Sequence, residues 1–463
     1  MKGLTSRYIG DRAFYRRMLA VAVPVMVQVG ITNFVNLLDN VMVGQLGTEA
    51  MTGVSIANQL ITVFNLAIFG IVSGAGIFAA QFFGKGDSDR LRYAFRFKLL
   101  GTLLVSLLGA LIFLLFPEPL ISLYLLGEGD AAAIGASLSV AREYLLILLI
   151  GFLPFALSQS YCSTLRETGN AVAPMVSSMA AVFCNLILNY ILIFGHFGAP
   201  MLGASGAAIA TVISRYLEAA IIVVYTHRSG RSRPFSAGLY RSVRIPRALF
   251  FSIVKKTLPL MTNEVLWALG VSLLAQCYST HGYNVMSANS ISQTIYTVFS
   301  IFFAALGTAV GILVGQRLGA SDTEGAVDTF RKTAFFGVLV CIAVGIIMIL
   351  TAPLFPMLYK TEPAVSTLAT TFIRIIGLCM PLTGYAHFCY YTVRSGGRTL
   401  LTFVFDSFYI CGIVATLGYL LTWLGVPIVT VYLVTHLTDL GKCIIGTLMI
   451  RSGVWIQNIT AEK

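Results

Sequence analysis

The chain has 463 residues, 57% of them hydrophobic and only 11% charged, with a formal net charge of +12. A soluble domain carries roughly 25% charged residues. A chain this poor in charge cannot cover a water-facing surface, and a mean hydropathy of +0.85 makes lipid its solvent.

At about 20 apolar residues per span, this length holds about a dozen helices on short loops, with no room for a separate soluble domain. Hydropathy and breaker residues predict twelve spans: 17–43, 52–83, 93–116, 134–164, 170–195 and 203–227, then 250–280, 285–318, 332–352, 364–392, 399–424 and 427–451. The first apolar run, from Met18 to Val43, is too long for a signal peptide and is read as a span. Segments in lipid satisfy their own backbone hydrogen bonds, and the ten-residue alternation of a barrel is absent, so the spans are predicted to be helices.

Charge orients them. All but four of the 31 Lys and Arg fall on one side: the group from Lys2 to Arg17, that from Lys85 to Lys98, Arg166, the linker from Arg228 to Lys256, Arg317, Arg331, Lys332, Arg394, Arg398, Lys442, Arg451 and Lys463. The opposite loops hold Arg142 and Lys360 with Glu49, Glu118, Glu128, Asp130 and Glu362, while Arg215 and Arg374 lie inside predicted spans. By the positive-inside rule both termini are cytoplasmic. Because the basic residues are spread along loop ends, they imply anionic lipid as partner rather than nucleic acid.

The chain repeats itself. Residues 55–96 align without gaps to 290–331, matching Ser55 to Ser290, Thr62 to Thr297, Gly76 to Gly311, Gln81 to Gln316, Gly84 to Gly319 and Arg96 to Arg331. Leu165-Arg166-Glu167-Thr168-Gly169 echoes Val393-Arg394-Ser395-Gly396-Gly397. The expectation is an all-α membrane protein: residues 1–227 a first six-helix bundle, 228–249 a basic cytoplasmic linker, and 250–463 a second bundle. An even helix count per half implies a pseudo-two-fold axis along the membrane normal, with a shared cavity.

Several segments resemble the multidrug and toxin extrusion (MATE) family. They are Asp39-Asn40-Val41-Met42-Val43-Gly44-Gln45-Leu46-Gly47 in the first span, Gln81-Phe82-Phe83-Gly84-Lys85-Gly86-Asp87 at the second-span exit, Gln316-Arg317-Leu318-Gly319-Ala320 at the matching exit, the turn at Leu165–Asn170 with Pro174, and Asn185-Leu186-Ile187-Leu188-Asn189 in the fifth span. The resemblance covers nearly the whole chain. It implies a monomeric secondary antiporter that exports organic cations or drug-like compounds, by alternating access, in exchange for H⁺ or Na⁺ and without a cofactor.

Ionisable residues inside spans are expensive, about 2.5–3.5 kcal/mol each on insertion scales, so each asks for a reason. The resemblance makes Asp39 a coupling-ion carboxylate. Asn185 and Asn189 are four apart on one helix face, and their amides can complete an oxygen shell for Na⁺ or hydrogen-bond a protonated Asp39. Thr211 matches a fourth family position, and Asn189 stands where the family often has a carboxylate, which tilts this half toward H⁺. In the second half, Glu264 resembles the family's seventh-helix glutamate; Asp406 is placed beside it, with Arg374 as counter-ion for either. Arg215 with Glu218, and Asp439 with Lys442, are spaced three apart and read as pairs along one helix. Tyr278 and Tyr296 are candidates to line the cavity and stack on a cation. Pro24 and Pro259 occupy corresponding places in the first helix of each half, where proline permits a kink.

With no G-x-x-x-x-G-K-[ST] loop, nothing suggests direct use of ATP. The alternative reading is a lipid-linked oligosaccharide flippase of related architecture, which needs more intramembrane cations than Arg215 and Arg374 to hold a pyrophosphate. A membrane enzyme needs clustered His, Asp or Ser near one interface, and the chain shows none.

Overall fold

The computed structural model describes residues 7–124, 131–228, 235–359 and 361–460. Lys2, Glu128, Asp130, Arg231, Arg233, Lys360 and Lys463, and with Arg231 and Arg233 part of the 228–249 linker, lie outside the described residues. Among the described residues there is no strand, and eleven helices are long and apolar enough to cross a membrane. A bent pair supplies the twelfth span. In chain order they are α1 (Arg12–Gly44), α2 (Thr48–Lys85), α3 (Ser88–Leu115), the bent span α4 (Ala131–Leu149 with Phe152–Glu167), α5 (Val172–Phe194) and α6 (Gly203–Arg228). Then come α7 (Arg247–Ser279), α8 (Tyr283–Gly319), α9 (Thr323–Thr351), α10 (Pro363–Ser395), α11 (Thr399–Trp423) and α12 (Ile428–Arg451). Each predicted span overlaps one of these elements, though α9 begins at Thr323 rather than at 332 and the fourth bends by 53° at Ile150–Gly151.

Lipid explains the surface. On α3, Leu104, Leu107, Leu111 and Leu114 are all at least half exposed, and they recur at the three- and four-residue spacing of one helix face. In water such a stripe would invite association; in a bilayer it is ordinary solvent contact.

By packing, the described chain falls into two compact units. One comprises Val27–Ala79 and Ser88–Val254. Its core is built around Phe64 and Phe152, stacked at 3.9 Å, with Ile61, Ile68, Leu145 and Leu148 buried around them. The other comprises the chain up to Met26, Ala80–Asp87 and Lys255–Lys463. There Phe372 of α10 stacks on Tyr432 of α12 at 3.9 Å.

Within this second unit the sequence repeat has a physical use. A Cβ on Gly84 would collide with the carbonyl oxygen of Gln316, and a Cβ on Gly319 with that of Gln81. The exits of α2 and α8 therefore touch backbone to backbone, reciprocally, at the aligned glycines. The C-terminal segment closes over this contact. Gln81 Nε2 donates to the carbonyls of Ser395 (2.9 Å) and Gln457 (3.1 Å), and its Oε1 accepts from the Ile459 N–H (2.9 Å). Lys85 Nζ donates to the Thr460 carbonyl (3.0 Å), and Trp455 is wholly buried.

Candidate functional site

In the first unit, α1, α5 and α6 bring four polar side chains together. Asn189 Nδ2 donates to Asp39 Oδ1 at 2.7 Å. The Asn185 amide fits its surroundings when its nitrogen faces Asp39 Oδ2 (3.0 Å) and its oxygen accepts from Thr211 Oγ1 (3.3 Å) and the Thr211 N–H (3.2 Å). Both carboxylate oxygens of Asp39 are thus held by amide N–H groups. Asn185 and Asn189 are buried, while Asp39 and Thr211 are half-buried. No Lys or Arg forms an ion pair with Asp39 among the described residues. The Asn189 Oδ1 atom is buried and makes no hydrogen bond. A buried amide oxygen left without a donor costs about 1–3 kcal/mol, the kind of strain kept at functional positions.

The four-residue spacing explains half of this cluster. Asn185 and Asn189 stack on one face of α5, one turn apart, and the carboxylate of α1 and hydroxyl of α6 meet that face. The single Thr211 hydroxyl proton can go either to the Asn185 oxygen or to the Ala207 carbonyl one turn back (2.9 Å), and the Thr211 N–H holds Asn185 in both cases.

In the second unit the charged groups do not pair as their spacing suggests. Asp406 is held by Lys442 of α12, Nζ to Oδ1 at 2.9 Å, with the two side chains 19% and 13% exposed. Its Oδ2 accepts from Asn263 Nδ2 at 3.3 Å, and Asn263 also reaches Tyr390 Oη (3.2 Å). Ser407 Oγ lies 2.7 Å from Asn263 Oδ1 and fixes that amide. Glu264, one residue on along α7, is half-buried and feels the charges of Arg394 and Asp406.

Arg374 is not the counter-ion of this cluster. It is exposed on α10, one turn from the exposed Leu378, while its neighbours Ile373 and Ile375 face inward. The helical rotation of α10 turns it away. Asp439 does not take Lys442 either; it accepts from Thr383 Oγ1 at 2.6 Å. Nor do Arg215 and Glu218 form an ion pair: Glu218 accepts from Ser178, and the Arg215 guanidinium lies 4.8 Å over the Phe155 ring. Tyr278 is buried and hydrogen-bonds Thr435 (2.7 Å), so it packs rather than lining an open cavity. Tyr296 is half-buried, its ring 6.3 Å from that of Phe303.

Sequence reasoning also missed a buried network in the first unit. Lys98 of α3 forms an ion pair with Glu167 at the end of α4 and donates to Ser163 (3.0 Å) and Thr164 (3.3 Å). The available signal was the echo of the α4 exit in the second half, where Ser395 stands in place of Glu167. An extra carboxylate in one repeat needs a cation of its own.

A family model for MatE matches residues 24–191 and 260–422, covering both halves and including Asp39, Asn185, Glu264 and Asp406. The chain belongs to the MatE family. It is a multi-pass membrane transporter rather than an enzyme. Among similar proteins, this transporter is 25% identical over 369 residues to the probable multidrug resistance protein NorM of Thermotoga maritima, covering 78% of this chain and 76% of the relative. It is 25% identical over 428 residues to the probable multidrug resistance protein YoeA of Bacillus subtilis, covering 89% and 90% respectively. The fold matches a crystal structure of MATE in complex with MaL6 with a TM-score of 0.85 at 17% identity, over 98% of both chains. An outward-facing multidrug resistance MATE transporter of the MOP superfamily matches with a TM-score of 0.84, also at 17% identity and over 98% of both chains.

Proposed function

We propose that this MatE transporter exports organic cations or drug-like compounds across a bacterial inner membrane in exchange for H⁺, with Asp39 as the coupling carboxylate and both termini cytoplasmic. The observation that carries the reading is the Asp39 cluster: one carboxylate, two amides and a hydroxyl, with no basic side chain paired to it.

A proton suits this set. The ionised carboxylate accepts the Asn189 N–H at 2.7 Å. The acid form would donate O–H to the same residue once that amide turns, because amide nitrogen and oxygen exchange places without moving the side chain. One amide thus serves both protonation states. Sodium asks for several oxygens and gains from more negative charge, and Asn189 supplies an amide in place of a second carboxylate. In the second half the Lys442 ammonium already pairs with Asp406 and disfavours a further cation beside it, while Glu264 and Asp439 have no ion pair among the described residues.

Substrate class rests on the relatives, two of which bear multidrug-resistance names. The flippase reading gains nothing from Lys98 and Lys442, because these two cations are matched to Glu167 and Asp406. Each proton entering through a 100 mV potential supplies about 2.3 kcal/mol, plus its concentration gradient, to drive alternating access.

The test is efflux of a fluorescent organic cation from proteoliposomes under separately imposed gradients. A pH gradient without Na⁺ supports efflux in the wild type and not in Asp39→Asn, which folds and inserts normally. Asn189→Asp introduces a Na⁺ dependence. Wild-type vesicles that need Na⁺ and ignore the pH gradient would overturn the reading.

A further inference from the structure

The described part of the linker, from Phe235 onward, folds onto the start of α3 and is anchored there. Phe235 and Leu239 are buried, with the Phe235 ring 6.1 Å from that of Phe95. Arg96 donates to three linker carbonyls: Nη2 to Gly238 (2.8 Å), Nε to Leu239 (2.9 Å) and Nη1 to Arg244 (3.2 Å). Tyr240 Oη meets Tyr161 Oη, which also bonds His227 (2.9 Å). Gly238 sits at φ +71°, a left-handed turn that glycine adopts without strain.

This anchored turn and α3 enclose a cleft of about 440 Å³ lined by Arg92, Tyr93, Arg96, Ala237, Gly238 and Arg241. Three lining residues are guanidinium cations and none is acidic. Carbonyl bonds take three of the Arg96 donors without cancelling its charge. Asp89 contacts Arg92 at 2.9 Å, but its side chain is 76% exposed and water screens it.

The face of α3 that carries Arg92 and Arg96 continues as a lipid-facing one. Leu100, Leu103 and Leu107 follow at three- and four-residue steps, 39%, 36% and 61% exposed. We propose that this cleft binds the phosphodiester headgroup of an anionic glycerophospholipid, whose acyl chains lie along that leucine face. Guanidinium groups match phosphate oxygens in geometry as well as charge, and basic pockets beside transmembrane helices take such headgroups. The leucine face selects a lipid over a free phosphate.

The experiment titrates delipidated, full-length protein in neutral detergent with short-chain phosphatidylglycerol, phosphatidylcholine and inorganic phosphate. The wild type binds phosphatidylglycerol and neither of the others. Arg241→Gln, an exposed change on the linker that leaves the melting temperature unaltered, weakens binding about fivefold, and Arg92→Gln with Arg241→Gln about thirtyfold. Arg451→Gln, at the end of α12, leaves it unchanged. Equal affinity in the wild type and the Arg241→Gln variant overturns the proposal, as does inorganic phosphate binding as tightly as the lipid.

Discussion

Lys442 and Asp406 illustrate what a single intramembrane pair contributes. Both side chains are largely buried, and the ammonium and carboxylate face each other as an ion pair. Removing one member of such a pair strands the other, at about 3–5 kcal/mol. Lys442→Met is expected to lower the melting temperature of the purified protein, and the double change Lys442→Met with Asp406→Asn to restore most of it, because the uncompensated charge is gone. Recovery absent in the double variant would mean that the two groups do not compensate one another. Asp39 is held differently, by neutral amides alone, so neutralising it as Asn removes no ionic partner. Asp39 and the Lys442–Asp406 pair should therefore separate in assay: changes at Asp39 stop coupling and spare stability, whereas loss of Lys442 alone reduces stability.

At the scale of elements, the C-terminal segment acts as a strap over the α2 and α8 exits. Its anchor is Trp455, wholly buried, with Nε1 donating to the Ile450 carbonyl (3.1 Å). Truncating a buried Trp to Ala costs about 3–5 kcal/mol, so Trp455→Ala is expected to destabilise the protein in thermal melts. Gly396→Ala should act in the same direction without touching the Trp ring, because a Cβ there would collide with the Trp455 carbonyl oxygen. Unchanged melting in both variants would show the strap to be energetically idle. The helix α11 carries another local feature: Val404–Phe408 and Ile410–Ala415 are π-helical, and Asp406 lies in the first of these segments. Wide turns of this kind recur at functional sites, and nothing in the local composition announces them. Pro24 and Pro259 sit inside α1 and α7, both continuous helices. The missing backbone hydrogen bond leaves these positions the weakest along each helix.

At the scale of the molecule, topology follows from counting charges and spans together. A missed helix would scramble the alternation of basic and acidic loops, so the charge pattern and the twelve-span architecture support one another. Tyr283 at the α7–α8 turn is 82% exposed and Phe197 after α5 is 88% exposed. Single cysteines introduced at these two positions should react with an impermeant thiol reagent from the outside of intact cells, and one at Ser452, after α12, only once the membrane is opened. Labelling in the opposite sense would invert the proposed orientation.

Span number and order were legible in the sequence because burial in lipid demands long apolar runs, and such runs are visible without knowing what they touch. The repeat was legible too, and its aligned glycines prove to be the close contact of α2 and α8. The Asp39 cluster was half legible: a four-residue spacing puts Asn185 and Asn189 on one face of any helix, and the family resemblance supplied Asp39 and Thr211. Rotation of the helices was not legible. Helices apolar on nearly every side give no direction in which to face, so spacing put Lys442 with Asp439, and its place inside a span put Arg374 with the second-half carboxylates. Only the tertiary packing decided that Lys442 reaches Asp406, that Arg374 turns outward, and that Lys98 meets Glu167, because each depends on which faces of different helices meet.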